Sequence, residues 1–392
     1  MTYKDNDGRS RPMSNAVRIP FNRPFLTGNE LRYISDAHQH GHLSGDGEFT
    51  ARCSRWLERN TGARRALLTH SCTGALEMAA LLADLEPGSE VIMPSFTFVS
   101  TANAFCLRGA VPVFVDIRAD TLNIDETLIE AAITNRTRAI CVVHYAGVAC
   151  EMHAIDAIAK RHGLLLIEDA AQAIESTFHG KALGTFGDLG TLSFHETKNV
   201  IAGEGGALLL NNDALVERAE IIREKGTNRS KFFRGQVNKY TWCDIGSSYL
   251  PSEVTAAFLW AQLENAGEIT ARRITLWNRY HEAFAGLEEG GLLRRPTVPA
   301  HCRQNAHMYY ILLPNLERRT AFIEYLRGQG IMAVFHYVPL HSSPAGQRLG
   351  RAGGSLARTE DVADRLVRLP MWIGLEPMQD AVIQAVREFV SQ

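Results

Sequence analysis

The sequence predicts an α/β protein, a large domain on a mostly parallel sheet followed by a smaller α+β domain. Three observations carry this. From about residue 65 to 210, short apolar runs alternate with amphipathic helical stretches. The runs are apolar throughout, so both of their faces are buried, as in a parallel sheet with helices on each side. Several runs end in polar residues, where open α/β sheets bind ligands.

The elements follow in order. "EVIMP" (90–94), "VPVFVD" (111–116), "AICVVH" (139–144) and "LLLIED" (164–169) read as buried strands. "TLIEAAI" (127–133) and "MHAIDAIAKRHG" (152–163) read as helices, the second closed by Gly163 as a C-cap. "TLSFHETKNVIAGEGGALLL" (191–210) reads as strand, polar interruption, Gly-rich turn and strand. From Ser252 to about Phe284 there is no proline and the apolar spacing is helical, which predicts one long helix or two abutting ones. Beyond lie strand-like "MYYILL" (308–313) and "MAVFHYV" (332–338), with helices near 317–327 and 377–389. The expected division is a loose tail over 1–17, a large domain over 18–265 and a small domain over 266–392.

Composition narrows the function classes. Lys plus Arg total 41 against 43 Asp plus Glu, a net charge of −2 that gives no electrostatic case for nucleic acid or an anionic membrane. No apolar run approaches a membrane span, and the N-terminus has no apolar signal-peptide core. The seven cysteines include no CxxC pair, which fits a reducing cytoplasm and argues against a disulfide framework or a metal site.

The strand ends offer Asp116, His144, Glu168 and Asp169 as site candidates. Asp169 alone reads equally well as a helix cap, and Lys198 alone as a solvated charge. Together they match the two obligatory protein roles of a pyridoxal phosphate (PLP) enzyme: a lysine for the aldehyde and an acid for the ring nitrogen. A phosphate needs hydroxyls and a helix start, and Ser71, Thr73 and Gly74 precede an Ala/Leu-rich helix, with Ser193 as a further hydroxyl. Phe96 and Phe98, at a strand–helix junction, offer a flat face for a ring or are core aromatics. His195-Glu196 fails as HExxH because Asn199 stands fifth, and "GEGG" (203–206) is not GxGxxG and leads into a strand. Those glycines are expected instead to turn the chain back into the sheet behind the lysine.

With "THSCTGALEMAAL" (69–81), "PSFTFVSTANA" (94–104), "VFVDI" (113–117), "VVHYAG" (142–147), "LLIEDAAQA" (165–173), "LSFHETKN" (192–199) and "GEGG", the chain closely resembles the DegT/DnrJ/EryC1/StrS sugar-nucleotide aminotransferases from about residue 18 onward. "REKGTNRS" (223–230), "FRGQVNKYTW" (233–242), "DIGSSYL" (244–250), "QNAHM" (304–308) and "MAVFHYVPLH" (332–341) look most like the members that aminate dTDP-4-keto-6-deoxyglucose. The resemblance implies the fold type I of PLP-dependent transferases, with a mixed sheet, and a cytoplasmic homodimer that completes each site with the neighbouring chain. It implies transamination between L-glutamate and a nucleotide-linked ketosugar. By position it makes Lys198 the Schiff-base lysine and Asp169 the partner of the pyridine nitrogen. It stacks Phe98 on the ring, sets Gln172 beside the cofactor, and gives the phosphate to Thr73, Gly74 and Ser193. Many members carry Asn where Ser248 stands and Arg where Leu250 stands, so Ser248 is a weaker contact to the partner's phosphate. His336, Tyr337 and His341 fall in a segment near the substrate. Relatives that are dehydratases carry His in place of the lysine, so Lys198 favours transamination.

Overall fold

The computed structural model describes residues 18–392 and, before them, only the antiparallel pairing of Thr2–Lys4 with Ser10–Pro12. The rest of the tail expected over 1–17 lies outside the described residues. Eleven strands build the two main sheets: β1 (Arg65–Thr69), β2 (Glu90–Pro94), β3 (Val111–Val115), β4 (Thr137–Val143), β5 (Leu165–Asp169), β6 (Leu189–Ser193), β7 (Gly206–Leu210), β8 (Tyr309–Leu312), β9 (Val334–Phe335), β10 (Arg351–Ala352) and β11 (Leu366–Leu369).

The large sheet runs β10-β3-β2-β4-β5-β6-β7-β1. Its pairs are parallel except at β7, which lies antiparallel to both neighbours. Alternate residues of each strand enter two separate cores: Ile92, Val113, Ile140 and Leu166 on one face, Val91, Phe114, Cys141 and Ile167 on the other. That two-sided burial is why the strands read as unbroken apolar runs. Helices α1 (Glu30–His40), α2 (Glu48–Thr61) and α3 (Cys72–Leu82) follow in chain order, and α3 packs on β6 and β7. The proline-free stretch resolves into two helices, Glu253–Leu263 and Ala266–Ala283, broken at Glu264-Asn265. Among the described residues no helix is long and apolar enough to cross a membrane.

A third core gathers Leu276, Tyr280, Tyr309, Phe322, Val367 and Phe389 around the sheet β8-β11-β9. The expected strand 332–338 is shorter, only Val334–Phe335, because Tyr337 takes a left-handed backbone (φ 57°) that no strand accommodates. The second half of the chain also returns to the large sheet. β10 pairs with β3, and Arg351 holds buried Glu90 with two hydrogen bonds of 2.9 and 2.8 Å.

Candidate active site

One cavity of about 540 Å³ opens between the carboxyl ends of the large sheet and the small sheet. Ser71, Thr73, Phe98, Asp169, Gln172, Ser193, Lys198, His336 and Tyr337 all line it. Strand period explains the acid. Along β5, Glu168 and Asp169 face opposite ways. Glu168, fully buried, accepts from the N–H groups of Gly184, Phe186 and Gly187 and pairs with buried His144 at 2.8 Å. That pair braces a loop. Asp116 likewise braces, accepting from the Thr359 N–H and hydroxyl at the start of the helix Ala357–Arg365. Asp169 alone of these strand-end residues turns into the cavity. Its carboxylate accepts from the Thr101 hydroxyl at 2.7 Å and the Ala171 N–H at 3.1 Å.

Lys198 sits on the loop between β6 and β7, pinned from both sides. Its N–H donates to His195 O at 2.9 Å, and the Asn199 side chain donates to Asn305 O at 2.7 Å. Gly203 (φ 78°) turns the chain back, as expected. Gly206 has a second role that sequence does not disclose. A Cβ there would lie 2.4 Å from Ser71 C and Cys72 N, so its bare backbone lets the start of α3 close on the lysine loop. Burial among protein atoms pushes the Lys198 amine below its ordinary value, offset in part by Cys72 and Asp169.

The α3 start forms an anion cradle. Ser71 is the N-cap, accepting from the Gly74 N–H at 3.0 Å, and the Thr73 and Ser100 hydroxyls meet at 2.8 Å. Gly74 itself lies behind this rim. Its N–H is committed to Ser71, and an added Cβ would press on the His70 and Tyr249 rings at 3.1 and 3.2 Å. Phe96 is a core aromatic, whereas Phe98 is 58% exposed and faces the cavity. The hydroxyls and helix start of the cradle, the acid and the depressed lysine fit the phosphate, ring nitrogen and aldehyde of PLP.

On the small-domain wall His336 and Tyr337 were expected, whereas His307 and Arg368 were not. Tyr337 accepts from the Gln172 amide at 3.0 Å and stacks on His336 at 3.6 Å, while Gln172 accepts from the Ala146 N–H at 2.7 Å. His336 Nδ1 meets the Tyr145 hydroxyl at 2.6 Å, and His307 Nδ1 meets Asn199 Oδ1 at 3.1 Å. Burial holds both imidazoles far below the usual histidine range, so they are neutral near pH 7. Arg368, in the middle of β11, also lines the cavity. A lone arginine inside the apolar run "LVRLP" was the available signal. Two predicted residues stand apart. His341 lies outside the cavity, bonded to Ser95 Oγ at 2.7 Å and Glu360 at 3.2 Å. Ser248 is exposed and bridges in backbone to Glu224.

The chain is similar to known proteins. The sequence profile of the DegT/DnrJ/EryC1/StrS aminotransferase family matches residues 24–387. GDP-perosamine synthase of Caulobacter vibrioides is 34% identical over 85% of this chain and 88% of its own. Aminotransferase TlmJ from Streptoalloteichus hindustanus superposes with a TM-score of 0.86 at 30% identity, covering 95% of this chain and 99% of its own. The PLP-form of Spr1654 from Streptococcus pneumoniae superposes with a TM-score of 0.87 at 25% identity, covering 95% and 98%.

Proposed function

The chain belongs to the DegT/DnrJ/EryC1/StrS aminotransferase family and is a PLP-dependent sugar aminotransferase, and from that premise we propose its reaction and the roles of its residues. It transfers the amino group of L-glutamate to C4 of a dTDP-4-keto-6-deoxyhexose, giving dTDP-4-amino-4,6-dideoxygalactose and 2-oxoglutarate. The carrying observation is that Lys198 and Asp169, 29 positions apart in sequence, face one cavity beside a helix-start anion cradle.

PLP, when bound, supplies an electron sink for the bonding electrons at the carbon that bears the amine. Asp169 keeps the ring nitrogen protonated, and Thr101 orients its carboxylate. Thr73 and Ser193 hold the phosphate with Ser71 and the α3 N-terminus. Gly74 supports that cradle from behind. Phe98 covers one face of the ring and Gln172 lies at its edge. Lys198 would hold the cofactor through its amine and would serve as the base for the proton on the donor carbon. Its depressed pKa leaves more neutral amine for that work than an exposed lysine has. His336 and Tyr337 face the sugar as neutral hydrogen-bonding groups. His341 acts from outside the cavity, holding the segment that carries them.

The working unit is a cytoplasmic homodimer, with Ser248 of one chain reaching the phosphate of the other. Its exposure on its own chain leaves it available for that contact. The test is incubation with dTDP-4-keto-6-deoxyglucose and L-glutamate, followed by NMR of the amino sugar. An axial amine at C4 is expected. An equatorial C4 amine would reassign the product, and no amine at all would refute the reaction.

A further inference from the structure

Among the described residues Arg368 has no counter-ion. Its Nε is enclosed by protein and has no hydrogen-bond partner. Among the described residues no carboxylate lies within ion-pair distance of its guanidinium. The Phe21 ring lies 4.7 Å from its Cζ. Arg368 itself is half-buried, and the two fully buried arginines differ from it. Arg273 donates to the carbonyls of Ala306 and His307 at 3.0 and 2.7 Å, and Arg223 pairs with Asp46 at 2.7 Å. A half-buried guanidinium stays charged, and an enclosed Nε without a partner is costly. Here the cost falls on a residue that lines the cavity. His307 and His336 beside it are neutral, so Arg368 is the fixed positive charge of this wall.

A planar fork of donors suits a bidentate oxyanion. The proposed reaction brings three anions into the cavity. The cofactor phosphate belongs to the α3 start on the opposite wall. The sugar diphosphate hangs from C1, across the ring from C4. The donor carboxylate is bonded to the very carbon whose proton Lys198 moves. Arg368 and Lys198 line the same cavity, and the arginine's charge adds to the lowering of the lysine, which favours the anion closest to the reacting carbon. Resting on the aminotransferase reading above, we infer that Arg368 is the donor-binding residue, its guanidinium gripping the α-carboxylate of the amino-acid donor. It would thereby select α-amino acids over simple amines and set the donor carbon against Lys198.

The experiment uses PLP-loaded wild type, Arg368→Gln and Arg368→Lys. Steady-state kinetics give KM for L-glutamate and for the ketosugar. Binding of glutarate, a dicarboxylate that cannot react, is followed by the shift in melting temperature. In Arg368→Gln the glutamate KM should rise about 10- to 100-fold, with the ketosugar KM moving far less and the glutarate shift lost. Arg368→Lys, which keeps the charge but not the fork, should fall between, and it carries the test if the glutamine variant does not fold. Wild-type glutamate KM and glutarate binding in the variants would overturn the assignment. So would a larger rise in the ketosugar KM, which would give the arginine to the sugar phosphates. A wild type that binds PLP but does not use glutamate would defeat the reaction proposed above. The glutarate titration would still decide the role of Arg368.

Discussion

The two walls of the cavity hold their polar groups in different ways. On the large-domain wall the polar groups find partners within the large domain: Asp169 has Thr101, Ser71 has the Gly74 N–H, and Thr73 has Ser100. On the small-domain wall the partners come from across the chain. Tyr337 depends on Gln172, His336 on Tyr145 and His307 on Asn199, and among the described residues Arg368 Nε has no partner. Tyr337 also holds a left-handed backbone, at a cost of about 1–2 kcal/mol for a residue with a Cβ. A satisfied, preorganised wall suits a resident cofactor. A wall with an unsatisfied cation and a strained turn suits substrates that come and go.

Substitutions can break this contrast. The largest effect is expected from Lys198→Ala, which should fold, retain its circular dichroism spectrum and show no measurable turnover. Turnover near wild type would remove the lysine from the chemistry. Next is Asp169→Asn, expected to lower kcat on the order of 100- to 1,000-fold with the Thr101 bond still possible. A loss confined to glutamate KM would instead move Asp169 to the substrate side of the comparison. The smallest catalytic effect should come from a site on neither wall. Glu90→Gln loosens the tie between β10 and the sheet and should lower stability by about 1–3 kcal/mol, with kcat unchanged. The hydrogen bond from Arg351, with those from Thr134 and Arg136, holds the Glu90 carboxyl at about 2 against an ordinary 4.5, despite the opposing effect of burial. A depressed carboxyl stabilises the fold above its unfolded pKa and loses that contribution as pH falls through the folded one. The difference in melting temperature between wild type and Glu90→Gln should therefore be full at pH 7 and shrink from about pH 4.5 toward pH 2. A difference that does not vary with pH would mean that charge is not what Arg351 reads.

The same contrast governs what the sequence disclosed. The large-domain wall was legible because its groups sit at strand ends and a helix start, places that periodicity marks. Asp169 at the end of "LLIED" and Ser71 before "CTGALEMAAL" need only their neighbours to be placed. Glu168 and His144 looked like equal candidates, and only the pleat and the loop at 184–187 show that they brace the fold. Gly206 was read as part of a turn, whereas its close approach to Ser71 is a tertiary fact. The small-domain wall depends on a crossing between two halves of the chain, so His307 gave no local pattern and Arg368 only that of a lone charge inside an apolar run. His336 and Tyr337 came from family resemblance alone.

The most direct test of the central claim is chemical mapping of the lysine. PLP-loaded protein is reduced with borohydride, digested and analysed by mass spectrometry. The account predicts one phosphopyridoxyl group per chain, on the peptide carrying Lys198, and none in Lys198→Ala. Label on another lysine, or a wild-type protein that takes up no cofactor, would contradict it.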